Sequence, residues 1–72
     1  MRYHFDFDTN GKKWRDTVGT VLPDIAAAKE EALEAVAGWL KDHLSDSGAE
    51  LVLSVRNSHT LFTVTGSIKI IE

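Results

Sequence analysis

Strict alternation opens the chain: Tyr3, Phe5 and Phe7 fall on one side of an extended segment and His4, Asp6 and Asp8 on the other. This period-two pattern predicts a half-buried strand. Asn10-Gly11 follows, and both residues tolerate the positive φ of a type I′ turn, so a two-residue hairpin loop is predicted there. Counting outwards from it sets Thr9 opposite Lys12, Asp8 opposite Lys13, Phe7 opposite Trp14 and Asp6 opposite Arg15. Trp14 is thereby expected on the core side. The alternation stops at Asp16, and residues 17–22 read as a bent connection in which Gly19 supplies a conformation that other residues resist.

The period becomes helical between Leu22-Pro23-Asp24 and His43-Leu44-Ser45. Asp24 is the expected N-cap, with Pro23 keeping the preceding chain extended. Ser45, Asp46, Ser47 and Gly48 favour turns, and Gly48 can take the left-handed conformation that closes many helices. At about 100° per residue, Asp24, Glu30, Glu31, Glu34, Lys41 and Asp42 form one polar arc. Ile25, Ala28, Ala32, Leu33, Val36, Trp39 and Leu40 fill the opposite side. Ala28 and Ala32 let the helix lie close on its neighbour, while Gly38 sits on the polar side with no core role. Lys29 and His43 interrupt the apolar side. Lys29 needs a route to water for its ammonium or an acidic partner, and His43 is placed where the helix dipole favours a proton.

Alternation returns at Glu50–Arg56, with Leu51, Leu53 and Val55 on one face, and resumes through Phe62, Val64, Ile68 and Ile70. A loop at Ser58-His59 pairs Val55 with Phe62, Leu53 with Val64 and Leu51 with Gly66. Gly66 is read as a bulge or bend. Beyond it Ile68, Ile70 and Ile71 put apolar side chains on both faces, which makes this end the candidate interface, because an unprotected apolar edge invites pairing with another chain.

These elements assemble into an α+β fold of ββαββ order, a four-stranded antiparallel sheet with one helix packed across one face, in a single domain over residues 1–72. The expected strand order is 2-1-3-4, with a mixed order that sets the last strand beside the first as the alternative. The expected core joins Tyr3, Phe5, Phe7, Trp14, Leu53, Val55, Phe62, Val64 and Ile68 to Ile25, Ala28, Ala32, Val36, Trp39 and Leu40.

Composition narrows the function classes. At 72 residues the chain is near the lower size limit for a stable domain. A domain so small buries only about 60% of its unfolded surface, so a partner subunit is expected. A hydrophobic content of 43% is too high for disorder. No apolar run approaches the ~20 residues of a membrane helix, and the first fifteen residues lack a secretory pattern, so a soluble, cytoplasmic protein is expected. The absence of cysteine excludes disulfides and thiolate metal sites. Of the net charge of −3, residues 24–46 hold −4, six acids against Lys29 and Lys41, while the rest carry six bases and five acids. Neither part has the basic surface of a nucleic-acid binder.

The most tempting chemistry is His4, Asp6 and Asp8, which alternate along a strand and offer nitrogen and oxygen ligands for a divalent metal. The hairpin register gives each aspartate a basic partner across the strands, worth roughly 0.2–1 kcal/mol per pair, which accounts for them without a metal. Lys12, Lys13, Trp14 and Arg15 interleave bases with an aromatic, but RNA stacking needs an exposed ring and Trp14 is expected inward. A lone Gly19 falls short of a phosphate-cradling loop, and no Gly-x-Ser-x-Gly elbow is present. No catalytic residue, cofactor or small-molecule substrate is assigned.

Tyr3-His4-Phe5, the glycine turn, Asp16, Gly19, Leu22-Pro23-Asp24, Ala28 and Glu31-Ala32 together resemble a family of short bacterial proteins of unknown function, frequent in rhizobia and their alphaproteobacterial relatives. The likeness covers most of the chain and is looser in the second hairpin; His4 stands where that family carries a further aromatic. It implies a compact strand-helix-strand domain and carries over no catalytic residue. The leading expectation is a non-enzymatic protein-interaction or regulatory module acting as a homodimer or with a protein partner. The alternative is an antitoxin-like domain that masks a toxin, and the third reading is a metal-dependent enzyme using His4, Asp6 and Asp8.

Overall fold

The computed structural model describes residues 1–45 and 47–71. Arg2–Thr9 form β1, and Asn10 (φ 51°) and Gly11 (φ 76°) turn the chain into β2, Lys12–Trp14. The register is the expected one: Phe7 pairs with Trp14, Asp8 with Lys13 and Thr9 with Lys12. The second hairpin also follows its pattern. β4, Gly48–Arg56, and β5, Thr60–Lys69, pair Val55 with Phe62, Leu53 with Val64 and Leu51 with Gly66. β1 and β4 are antiparallel neighbours, Phe5 opposite Val55 and Phe7 opposite Leu53, so the order is β2-β1-β4-β5 and the mixed alternative is not formed.

The bent connection contains a fifth strand. Thr20–Val21, β3, returns to β1 beyond β2, pairing Tyr3 with Thr20 and Arg2 with Val21. Trp14 and Thr20 thus pair with Phe7 and Tyr3, six residue steps against four, and residues 15–19 loop away from the ladder. A two-residue strand carries no readable alternation, which is why the sequence pattern missed it.

The helix α1 spans Ile25–Asp42, and the Asp24 carboxylate accepts the Ala27 N–H at 2.9 Å. It lies over β4 and β5, burying Ala28, Ala32, Val36 and Leu40 against Leu51, Leu53 and Val55, with Tyr3 completing the core. Its end differs from expectation. His43 is the C-cap, its N–H bonded to the Trp39 carbonyl, while Gly48 opens β4 after a turn in which Ser45 and Gly48 exchange backbone bonds. Asp46, expected in that turn, lies outside the described residues. The His43 ring stacks on Trp39 with centroids 4.2 Å apart, and its Nδ1 donates to the Trp39 carbonyl at 2.9 Å. Lys29 finds no acidic partner among the described residues; its ammonium lies 5.9 Å from the centre of the Phe62 ring, a cation–π contact.

Three expectations about burial and packing are corrected. Trp14 shares the helix-side face with Phe7 but is 52% exposed, because the helix does not extend over β2. Ile25, Leu33 and Ile68 are likewise exposed, the first at the opening turn of the helix, the second on its rim and the third near the end of β5. Gly66 marks no bulge: it pairs regularly with Leu51, and the register shift lies at Val55/Arg56 near the hairpin tip. The reason for glycine is overhead. A Cβ on Gly66 would overlap Val36 Cγ1 and come within 2.8 Å of Leu40 Cδ1.

Gly66→Ala is therefore expected to lower unfolding free energy by about 1–3 kcal/mol through overpacking. Gly38, with open space where a methyl group would stand, gives the opposite sign: Gly38→Ala gains up to about 1 kcal/mol of helix propensity. Urea unfolding of both variants, with unchanged m, is the check.

Candidate functional site

His4 and Asp6 of β1 are drawn into one network on the outer face of the sheet. Asp6 lies diagonally from Arg56 across β1 and β4, and Arg56 Nε donates to its Oδ2 at 2.7 Å. Arg56 also reaches the Asp16 carbonyl at 2.8 Å, and the Asp16 N–H donates to Asp6 Oδ1 at 2.9 Å. His4 donates through Nδ1 to the same Asp16 carbonyl at 3.1 Å. The partner of Asp6 is thus Arg56 and not the expected Arg15, because β2 ends at Trp14 and Arg15 falls in the loop. Asp8 does face Lys13.

Asp16 is the residue the sequence pattern undervalues. Its Oδ2 accepts the Phe5 N–H at 3.1 Å, and its Oδ1 accepts those of Val18 (3.0 Å) and Gly19 (2.9 Å). The carboxylate replaces the missing strand between β2 and β3: it takes the β1 donor that the loop leaves without a ladder partner and caps the turn that brings the chain back. The signal was Asp16 three residues before Gly19, the pattern of an aspartate-capped turn. Gly19 has φ +79°, and a Cβ there would press on Arg2 and His4.

Burial on its own raises the pKa of both carboxyls. For Asp6 it is outweighed by the Arg56 and Asp16 hydrogen bonds and by the charges of Arg56 and Arg15, which hold the group below its ordinary 3.8. For Asp16 the N–H groups of Gly19, Phe5 and Val18, with the charge of His4, do the same. Asp6, Asp8, Lys13, Arg15, Ser54 and Thr60 border a shallow hollow of about 420 Å³ whose charges are of both signs. Among the described residues no group of three His, Cys, Asp or Glu side chains is arranged to hold a metal ion.

A second feature stands at the far edge. β5 pairs only with β4 among the described residues, and at its end Ile68, Ile70 and Ile71 are 39, 42 and 82% exposed. Ile70 is tied to the molecule by its N–H, which donates to the Ser47 carbonyl at 3.3 Å. Among the described residues no helix is long and apolar enough to cross a membrane.

The profile of a domain of unknown function, DUF6894, matches residues 2–67. The chain belongs to the DUF6894 family. The match takes in all five strands up to Ser67 and the whole helix, so the Asp6–Arg56–Asp16 network and the helix contact at Gly66 lie within the DUF6894 domain, and Ile68, Ile70 and Ile71 lie just past the matched span. Comparison with curated proteins and with solved structures gave no match.

Because both carboxyls have lowered pKa values in the folded chain, their stabilising contribution is complete above about pH 4 and is lost as pH falls through those lowered values. Asp16→Ala leaves three N–H groups without their acceptor and is expected to cost about 2–3 kcal/mol. Asp16→Asn keeps one acceptor oxygen, recovers part of that loss and flattens the acid limb. Chemical unfolding from pH 2 to 7 reads both effects.

Proposed function

We propose that this DUF6894 chain is a small non-enzymatic protein-interaction module that acts as a homodimer. The observation that carries the reading is the outer edge of β5, with no partner strand among the described residues, ending in the exposed Ile68, Ile70 and Ile71. Fully covering an exposed isoleucine side chain is worth about 1.5–3 kcal/mol, and the uncovered fractions of Ile68, Ile70 and Ile71 leave part of that to be gained on association. The small core points the same way, since its fully buried large side chains are Leu51, Leu53 and Val55.

The non-enzymatic part is supported by the use to which the reactive side chains are put. Asp6 is engaged by Arg56 and the Asp16 N–H, His4 by the Asp16 carbonyl, and Asp8 faces Lys13. The Asp6 and His4 contacts hold the strand β1 to its neighbours and leave a metal or substrate to compete with an existing partner, while Asp8 is matched to Lys13 by register.

Light scattering at micromolar concentration is expected to give twice the 8.0 kDa chain mass. Ile68→Lys combined with Ile70→Lys is expected to shift that mass toward a single chain while far-UV circular dichroism stays unchanged. A wild-type chain that stays at 8.0 kDa throughout sinks the homodimer.

A further inference from the structure

The free edge of β5 and the free flank of α1 lie on the same side of the molecule and match each other in position. Lys29 stands over Phe62, and Val36 and Leu40 stand over Gly66, so the helix runs parallel to β5 with its middle, near Leu33, level with Val64. Around the helix, Lys29, Val36 and Leu40 face β5; the next positions outward at about 100° per residue are Leu33, Ala26 and Ala37. All three are exposed, Leu33 at 59%, and none is charged. The strand below is bare of protection beyond its bulge near the tip. From Phe62 to Ser67 it is regular and carries no charge and no proline, two devices that natural edge strands use against pairing.

We infer that two copies of the chain join β5 to β5 in antiparallel register about a two-fold axis at Val64, with the two helices packed flank to flank over the seam. The inference rests on the homodimer reading above and specifies its geometry. A two-fold normal to the sheet keeps both helices on one side. It sets Val64 opposite Val64 of the second copy and Phe62 opposite Gly66, so that five residues of each strand, Phe62 to Gly66, pair in regular register beyond the bulge near the hairpin tip. The spacing closes as well. Each helix lies over β4 and β5, so its axis is about one strand spacing from the two-fold. Two spacings of about 4.8 Å put the helix axes roughly 10 Å apart, the distance at which helices with small residues in the seam pack. Leu33 then meets Leu33 of the second copy, and Ala26 and Ala37 allow the approach. The apolar tail finds cover too: Ile68 and Ile70 reach the hairpin tip of the second copy, where Asn57–Thr60 turn. A heterologous apolar strand can occupy the same edge, but it leaves the uncharged helix flank uncovered, whereas a second copy supplies strand and helix together.

The chain contains no cysteine, so one introduced thiol reports one position. In the full chain, Leu33→Cys treated with a short bis-maleimide is expected to give a covalent dimer at least about tenfold faster than Ile71→Cys, whose two copies lie at opposite ends of the paired strands. Leu33→Asp, at an exposed position that the fold tolerates, is expected to raise the dimer dissociation constant by at least about tenfold with circular dichroism unchanged. A two-chain mass with cross-linking at Ile71→Cys and none at Leu33→Cys overturns this arrangement and leaves self-association standing. A single-chain mass overturns both.

Discussion

Val36 and Leu40 rest on the bare backbone of Gly66, and that close approach determines where the helix sits. With no side chain at this point of β5, the outermost strand can carry the helix directly, and Ala28 and Ala32 let the remainder of the apolar stripe descend onto Leu51, Leu53 and Val55. The same contact explains what is left uncovered. A helix seated over β4 and β5 does not extend over β2, so Trp14 is half exposed although its register puts it on the core side of the sheet.

The two edges of the sheet are treated in opposite ways. On the β1 side the ladder is broken into a three-residue strand, a loop and a two-residue strand, carries Lys12, Lys13 and Arg15, and is closed by the Asp16 carboxylate. An edge so short, charged and irregular offers little for another strand to pair with. On the other side β5 is ten residues long, regular beyond its bulge near the tip, and charged only at Lys69. Since both edges belong to one sheet in one small chain, general strand chemistry does not account for the contrast. It is what a chain with one closed and one open edge requires.

Much of this was legible in the residues because period and turn chemistry are local. Alternation located β1, β4 and β5, Asn10-Gly11 fixed a register by counting, and Asp24 capped the helix it was expected to cap. What escaped was set by tertiary placement. The alternation put Trp14 on the right face but had no means of locating the helix along the sheet, so it could not tell a covered face from an open one. Gly66 was read as a defect in its own strand, whereas its cause lies on another element. Asp6 was assigned to Arg15 by a register that assumes β2 continues; the loop at residues 15–19 ends the strand and hands Asp6 to Arg56, fifty residues away. Of the candidate site, the carboxylates were found and their partners partly missed. Asp16, which ties β1, the loop and Arg56 together, was visible only as a turn former.

Helix position bears on the proposed association as well. Across a sheet ordered β2-β1-β4-β5, the most water is excluded by a helix placed centrally over β1 and β4, which would shield Phe5, Phe7 and Trp14. This helix is displaced toward the edge instead, and its outer flank, Ala26, Leu33 and Ala37, hangs beside β5 with no acid and no base in it. Solvent-facing helix positions are normally polar, and the outward face of the same helix, with Glu30, Glu31 and Glu34, obeys that rule. An apolar flank directly above an uncharged strand edge therefore extends the core's own two-layer pattern past the end of the sheet, and the proposed second copy would continue both layers at the spacing the first one sets.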